Sequence, residues 1–307
     1  MDLNKSIKKA KRKQLLIIGC ISIFSFFVLS GIMVIVLDRA AANNYFELNK
    51  SLFDYQAIAS PNTQIDSQVI ANSSILGGEV VTNQSKNING YIVPWSNLKS
   101  RYSIFRGSVD YNELMPSWYQ SSKNSYEYNR QTKQKIATFY NPNIENYYDD
   151  VENELDEFNH MEHSVAEVAL SFDKPYSYSE VKQMIPENLN VVWLYLFSEE
   201  RDEHLGPSGT PIYGFQLNVN EEGNIDPQAD KENFFSSFKA YSAPMNNKKI
   251  DTFIRDNEDK KVEELKILGV MVTGQGENLV RLKDRSFVRG SSIGVTAPIV
   301  PYITPEK

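Results

Sequence analysis

Cysteine is almost absent from this sequence. The single cysteine, Cys20, lies in a long apolar stretch near the N-terminus. The polar remainder of the chain therefore has no disulfide and no thiol nucleophile, and its stability must come from an ordinary packed core. Histidine is also rare, with three in 307 residues. No nucleophile or metal constellation stands at a recognisable spacing, so we expect no catalytic residue, no cofactor-binding residue, no metal site and no enzyme. A paired-carboxylate hydrolase stays open, because such pairs need not be close in sequence.

Charge is absent from the stretch Leu15 to Leu37. As a helix it would be about 34 Å long, against a bilayer hydrocarbon core of roughly 30 Å. A soluble helix of that length would need one polar face. The sequence therefore predicts a single transmembrane helix over residues 15–37, which places the chain in the lipid bilayer.

Two other interpretations of this stretch are less favoured. Ala40-Ala41-Ala42 has the form of a signal-peptide cleavage site, but the apolar core of a signal peptide usually has 7–15 residues. Ile17-Ile18-Gly19-Cys20 has the form of a lipobox. A lipobox cysteine should end the apolar run, whereas this one is followed by many more apolar residues.

The flanking charges predict the orientation. Residues 1–14 carry a net charge of +5, and the residues after Leu37 carry −12, since the whole chain is −7. Positive flanks stay cytoplasmic. We therefore expect a cytoplasmic basic tail over residues 1–14 and an extracytoplasmic part that begins at Asp38. Its negative charge makes nucleic acid or an anionic membrane surface an unfavourable partner.

A membrane-proximal region is expected over residues 38–160. Helical spacing of apolar residues predicts that the membrane helix continues until Pro61. Short apolar runs at residues 68–71, 75–76, 79–81 and 91–93 then predict strands or strand-like surface segments, with Asn89-Gly90 as a hairpin turn. Aromatic residues are dense over residues 95–143, where they fit either a small packed core or a platform for sugars of the cell wall: Trp95, Tyr102, Phe105, Tyr111, Trp118, Tyr119, Tyr126, Tyr128, Phe139 and Tyr140.

The segment from Glu145 to Glu157 carries seven acidic residues. Clustered carboxylates could bind calcium, but the segment has no central glycine for the sharp turn that an EF-hand calcium loop needs. An apolar stripe of Tyr148, Val151, Leu155 and Phe158 favours an amphipathic helix instead. His160 and His163 would then lie exposed near its end.

A C-terminal α+β domain is expected over residues 161–307. Its predicted strands are Val165–Phe172, ended by Asp173-Lys174-Pro175, then Asn190–Ser198 as a central strand, Tyr213–Val219, Lys266–Thr273 and Phe287–Thr296. A helix should start at Ser177, which forms a capping box with Glu180. Further helices are predicted over Asn233–Tyr241, Ile250–Leu265 and Glu277–Lys283, with a loop over Glu199–Pro211 and a turn at Glu221-Glu222-Gly223-Asn224. Gly274-Gln275-Gly276 is expected to be a turn, because a bare GxG is a weak phosphate signal.

Several segments occur in an order that matches a known family. They are Ala166–Tyr176 (AEVALSFDKPY), Val192-Trp193, Ile212–Phe215 (IYGF), Leu268–Gly274 (LGVMVTG) and Ser291–Gly294 (SSIG). This series resembles the C-terminal domain of the bacterial sigma-factor regulator family, the membrane-anchored anti-sigma-type proteins of Gram-positive bacteria. The basic start, the apolar run, Ser60-Pro61-Asn62 and Gly90–Trp95 (GYIVPW) resemble the N-terminal region of that family.

The resemblance implies a membrane-anchored regulator. Its extracytoplasmic domain would sense envelope stress and control an extracytoplasmic-function sigma factor. Only 14 residues precede the apolar run, too few to fold a sigma-binding domain. The tail could bind the sigma factor directly, or the chain could act through a membrane co-regulator that binds it. The short tail favours the co-regulator. The alternative function is a cell-wall or carbohydrate-binding surface module.

Overall fold

The computed structural model describes residues 3–109, 117–120, 125–147, 150–161, 163–199, 211–220 and 223–302. These ranges leave out Tyr111, Tyr148, the first two residues of the turn predicted from Glu221 to Asn224, and residues 200–210 of the expected loop.

One long helix, α1, runs from Leu3 to Ala59. It contains the whole apolar stretch Leu15 to Leu37 and continues past it, as the helical spacing predicts. At about 1.5 Å per residue it is about 86 Å long. Among the described residues it is the one helix long and apolar enough to cross a membrane. It ends two residues before Pro61, which cannot continue a helix.

Seven strands follow α1 among the described residues up to Tyr128. They are β1 (Gln64–Ser74), β2 (Gly77–Ile88), β3 (Tyr91–Pro94), β4 (Leu98–Ser103), β5 (Gly107–Val109), β6 (Ser117–Gln120) and β7 (Ser125–Tyr128). One sheet has the order β1-β2-β4-β5, with β3 also paired to β2, and β6 and β7 form a separate hairpin. Asn89 and Gly90 both have positive φ, which confirms the predicted turn. Ile75-Leu76 forms the turn between β1 and β2 rather than a strand.

The chain divides into two compact units. The first comprises residues 1–49, 70–80 and 100–109, and the second comprises residues 50–69, 81–99 and 110–307. In the first unit, the strand ends pack on the helix: the Asn44 side chain donates to the Ser103 carbonyl at 2.8 Å, and the Tyr45 and Tyr102 rings lie 5.3 Å apart.

The second unit is built on a five-stranded antiparallel sheet. Its strands are β8 (Ser164–Tyr176), β9 (Asn190–Ser198), β10 (Ile212–Gln216), β11 (Ile267–Gln275) and β12 (Val288–Pro298), in the order β10-β9-β11-β8-β12. The bounds of β9 are those predicted, and β9 has a neighbour on each side. The chain is therefore α+β, as expected.

Helices cover one face of this sheet. They are α2 (Tyr178–Met184), α3 (Pro227–Ser242), α4 (Lys248–Asn257) and α5 (Gly276–Leu279). Their apolar sides meet the inward side chains of the strands in one core, in which Leu170, Leu194 and Phe234 are fully buried. The helix predicted to run to Leu265 ends at Asn257, and a separate 3-10 turn follows at Val262–Glu264. β8 continues past the predicted stop at Asp173-Lys174-Pro175 to Tyr176, where Ile267 of β11 still pairs with it.

The other face of the sheet carries a second, smaller core. Phe139 comes from an extended segment and packs on Trp193 and Tyr195 of β9, with ring centroids 5.6 and 5.3 Å away. Further along the same face, Ile88 of β2 is buried against Val165 and Val295.

In the described residues of the acidic segment, 145–147 and 150–157, the predicted α-helix is wrong. A 3-10 helix begins only at Leu155 and ends at His160. Before it, the backbone pairs with the edge strand β12: Ser291 N donates to the Glu152 carbonyl at 2.8 Å, and Glu154 N donates to the Ser291 carbonyl at 3.0 Å. A backbone bonded to a strand cannot also form the bonds of a helix. The apolar stripe is confirmed in part, since Leu155 and Phe158 enter the main core.

The start of α2 offers a test of the fold. The Ser177 hydroxyl accepts from Glu180 N, and the Glu180 carboxylate accepts from Ser177 N at 2.7 Å, which is the predicted capping box. We expect Ser177→Ala to lower the free energy of unfolding by about 0.5–2 kcal/mol, because an amide of the first turn loses its acceptor. Chemical denaturation measures this. The matched control is Ser179→Ala inside the same helix, which should not destabilise, because alanine is the better helix former. Equal effects of the two changes would contradict the cap.

Candidate functional site

Strand β8 is apolar and buried over most of its length, and Glu167 occupies one of its buried positions. Glu167 is completely buried on the face of the sheet opposite the helices. Its carboxylate accepts three hydrogen bonds: from Lys86 Nζ at 2.7 Å, Asn62 Nδ2 at 2.9 Å and Val295 N at 3.2 Å. The oxygens are thus held by a cation, an amide and a backbone group. We call Lys86, Asn62 and Glu167 the buried ion cluster.

Lys86 reaches this point from β2 and is itself buried. Its ammonium also donates to the Pro61 carbonyl at 3.2 Å and lies 4.6 Å from the centre of the Trp95 ring. A cation over an indole face is stabilised by the quadrupole of the ring. The ammonium is therefore enclosed by one carboxylate, one carbonyl and one aromatic face.

Asn62 belongs to the tight turn that follows α1. Its φ is +49°, a left-handed conformation that asparagine tolerates better than most residues. Its side-chain amide donates to the Asn87 carbonyl at 3.1 Å as well as to Glu167. Gly294 of β12 leaves the space for the carboxylate, since a Cβ there would lie 2.6 Å from Glu167 Oε1. The buried ion cluster therefore joins the turn after α1 and β2 to the C-terminal sheet.

A second ionic cluster lies at the edge of the same sheet. Lys135 Nζ donates to Glu152 Oε2 at 2.8 Å, to Glu154 Oε2 at 2.6 Å and to the Ser292 hydroxyl at 3.1 Å. The ammonium also lies 4.6 Å from the Tyr126 ring. This Lys135 cluster fixes the acidic segment against β12.

Burial raises the pKa of Glu154 above its ordinary 4.5. The Lys135 ammonium acts in the opposite direction, and the neighbouring Glu152 carboxylate raises the pKa further. Glu154 Oε2 also accepts from Ile293 N at 2.7 Å. The carboxyl is thus held in a protein environment that disfavours its charge but supplies hydrogen bonds.

The end of α1 is fixed in the main core. Ile58 is completely buried among residues of the C-terminal domain, with Ala57 and Ala59 packed beside it. The Tyr55 ring lies 5.4 Å from the Tyr241 ring of α3. The last helical turn of α1 is therefore part of the C-terminal fold.

The aromatic residues over 95–143 do not form one platform among the described side chains. Phe139 and Tyr140 are buried under the sheet, and Trp95 packs over Lys86. Trp118 is exposed in the β6–β7 hairpin. Tyr102 and Phe105 belong to the other unit.

Sequence reasoning singled out no site residue, and both ionic clusters were missed. The signal for the first was present: Glu167 is the one charge in the apolar run from Val165 to Phe172, and a buried carboxylate needs a partner. Nothing in the sequence pointed to Lys86 as that partner. His160 and His163 are exposed at the end of the 3-10 helix and in the following turn, as expected. Gly274-Gln275-Gly276 is the junction of β11 and α5; a Cβ on Gly274 would meet Leu189, and one on Gly276 would meet Phe158.

Comparison with protein families gives two matches. Residues 158–295 match the model described as sigma factor regulator C-terminal, and residues 4–93 match the one described as sigma factor regulator N-terminal. Glu167 lies in the first range, whereas Asn62 and Lys86 lie in the second. A search of curated proteins and a search of solved structures found no match.

The buried ion cluster predicts that removing the charge of Glu167 strongly lowers the stability of the fold. Glu167→Gln should lower the free energy of unfolding by about 3–5 kcal/mol, because the Lys86 ammonium is left buried without a counter-charge. The double change Lys86→Met with Glu167→Gln should recover most of the loss, since it removes the stranded cation and keeps an acceptor. Urea titration of the full chain in nanodiscs, followed by tryptophan fluorescence, measures both.

The matched control is the exposed Lys283–Asp156 pair, whose side chains are about half exposed. Asp156→Asn should leave stability nearly unchanged, because water screens such pairs. A small effect of Glu167→Gln, similar to that of Asp156→Asn, would show that the buried ion cluster does not hold β2 and the turn after α1 to the C-terminal sheet.

The Lys135 cluster predicts a pH effect on stability. The folded chain keeps the Glu154 proton to higher pH than the unfolded chain does. The stabilising contribution of this proton is therefore complete below pH 4.5 and is lost as the pH rises through the raised pKa. We expect the free energy of unfolding of the wild type, relative to Glu154→Gln, to fall across that window. Urea titrations at a series of pH values measure the difference, and a constant difference would contradict the prediction.

Proposed function

The chain belongs to the sigma factor regulator family, and on that premise we propose that it is a single-pass membrane regulator of an extracytoplasmic-function sigma factor. Its basic N-terminal tail lies in the cytoplasm, and its C-terminal domain senses envelope conditions outside. It acts by protein contact and not by catalysis. The family supports the sigma-factor role, and the positive charge before the apolar run supports the orientation.

The observation that carries this proposal is the unbroken helix α1. It extends through residues 3–59 without a described interruption, and its last turn is buried in the core of the C-terminal domain through Ile58. A helix is stiff over such a length, so a displacement or rotation of its anchored end is transmitted along its axis. Repacking of the C-terminal domain would in this way reach the membrane segment and the tail.

The N-terminal end of α1 is the part of the chain that would contact the partner protein. Residues 5–14 continue the helix, are exposed and carry the cluster of lysines and Arg12. The exposed basic surface of this helix end is suited to contact with another protein. We propose that it works with a second membrane protein, which pairs with α1 in the bilayer and holds the sigma factor in the cytoplasm.

A role in protein contact rather than in catalysis is supported by the ion pairs that the buried charges form with one another. Lys86 is bonded to Glu167, and Lys135 is bonded to Glu152 and Glu154. Charges that are engaged with one another inside the fold serve to hold segments together.

The first experiment is a crosslinking pull-down of the full-length protein from its native membrane, followed by mass spectrometry. We expect a sigma factor, or a small membrane protein that binds one, among the captured proteins. Capture of wall polymer and wall enzymes alone would instead favour the surface-binding function.

A second experiment tests transmission through α1. Two alanines inserted between Leu37 and Asp38 rotate the two ends of the helix by about 200° relative to each other, whereas four alanines rotate them by about 400°, which leaves them about 40° apart. We expect the two-alanine variant to lose control of a sigma-dependent reporter gene and the four-alanine variant to retain most of it. Immunoblots of the membrane fraction establish that both accumulate. Equal regulation by both variants and the wild type would contradict transmission through the helix.

A further inference from the structure

Two neighbouring turns in the first unit expose apolar side chains. Ile75 and Leu76 form the turn between β1 and β2 and are 46% and 52% exposed, and Phe105 in the turn between β4 and β5 is 85% exposed. The turns are joined by a hydrogen bond from Ile104 N to the Leu76 carbonyl, at 3.1 Å. Such large side chains presented together at loop tips mark a contact surface. We call residues 75–76 and 104–106 the paired turns.

The contacts between β4 and α1 give the direction in which the paired turns point. As β4 advances from Tyr102 to Ser103, its helix partner moves back from Tyr45 to Asn44. The returning strand β5 starts at Gly107, packed tightly against Leu48 of α1. The turn between them therefore lies on the side of the apolar stretch of the helix.

Distances along the helix give the depth of the paired turns. Asn44 lies seven residues beyond Leu37, or about 10 Å at 1.5 Å per residue. The two residues from Ser103 to Phe105 span up to about 7 Å toward the apolar stretch. The polar headgroup layer of a bilayer is about 5–8 Å thick on each side of the hydrocarbon. Phe105 thus comes to the level of that layer when α1 crosses the membrane.

The residues around the paired turns suit a membrane interface. Tyr45 and Tyr102 pack together just above them, and tyrosine is enriched at that level in membrane proteins. Arg106 is exposed in the turn itself, and Arg39 is exposed on α1 two residues beyond Leu37. Asp38 is also exposed, and Glu79 is bonded to Arg101 at 3.0 Å, so the local charge is mixed. The contact therefore depends on apolar insertion and not on attraction to anionic lipid, in keeping with the acidic balance of the chain beyond the membrane.

We propose that the paired turns insert into the interfacial layer of the same bilayer that α1 crosses, with Phe105 the deepest side chain. The partner is the lipid surface itself. The contact gives the first unit a second attachment to the membrane besides the helix and limits its rotation about the helix axis. The inference rests on the span of α1 and holds whichever side of the membrane the domain occupies.

The test is a depth measurement by nitroxide spin labels on the full chain in nanodiscs of zwitterionic lipid, with one copy in each disc. In a Cys20→Ser background, single cysteines are placed at Phe105→Cys and Leu76→Cys. Two positions on α1 act as rulers: Asp38→Cys at the end of the apolar stretch, and Glu47→Cys about 14 Å further along the helix. Collision rates with oxygen and with a nickel chelate report burial in lipid.

We expect the labels at positions 105 and 76 to match the label at position 38, with high oxygen and low nickel collision rates. With the label at position 76, a further Phe105→Asp change should raise the nickel collision rate several-fold, because a charged side chain does not enter the interface. Labels that behave like the one at position 47 would overturn the proposal. Shielding that appears only in discs with two copies would also overturn it, in favour of contact between copies.

Discussion

The fold depends on a carboxylate that cannot be buried alone. Glu167 lies inside the sheet, where an isolated charge would cost several kcal/mol, and its cation comes from β2 and its amide from the turn after α1. The C-terminal sheet therefore has a closed second face only when those segments are in place. The two family regions meet at these three side chains, so this face of the C-terminal domain is incomplete without residues from the N-terminal match.

The same dependence links the membrane helix to the C-terminal core. Asn62 follows directly on the end of α1, where Ile58 is already buried. The helix end is thus held by apolar packing on one face of the sheet, and the turn that follows it is held on the other face by the hydrogen bond from Asn62 to the Glu167 carboxylate. Such an end has little freedom to move unless the domain itself rearranges, which is the mechanical condition that a transmitting helix needs.

Local chemistry explains what could be predicted from the sequence. An unbroken apolar stretch, the nearly apolar strand Asn190–Ser198, the Ser177 cap and the Asn89-Gly90 turn each depend on neighbouring residues alone, and all are confirmed. The acidic segment failed because its helical stripe competed with pairing to Ser291, more than a hundred positions away in the chain. Lys86 was not predicted as the partner of Glu167 for the same reason. It lies in a polar strand, and no neighbouring residue indicates that it is buried.

The sheet order also determines when the domain can be completed during synthesis. The strand that carries Glu167 lies between β11 and β12, which are made last among the described strands. At about 5–20 residues per second, the ribosome needs about 6–25 s to extend the chain from the end of β8 to the end of β12. Until β11 has been made, the apolar strand that bears this carboxylate lacks both of its neighbours, and for the rest of the interval it still lacks β12. Until β12 is complete, the nascent chain therefore exposes apolar strand surface that the finished sheet covers.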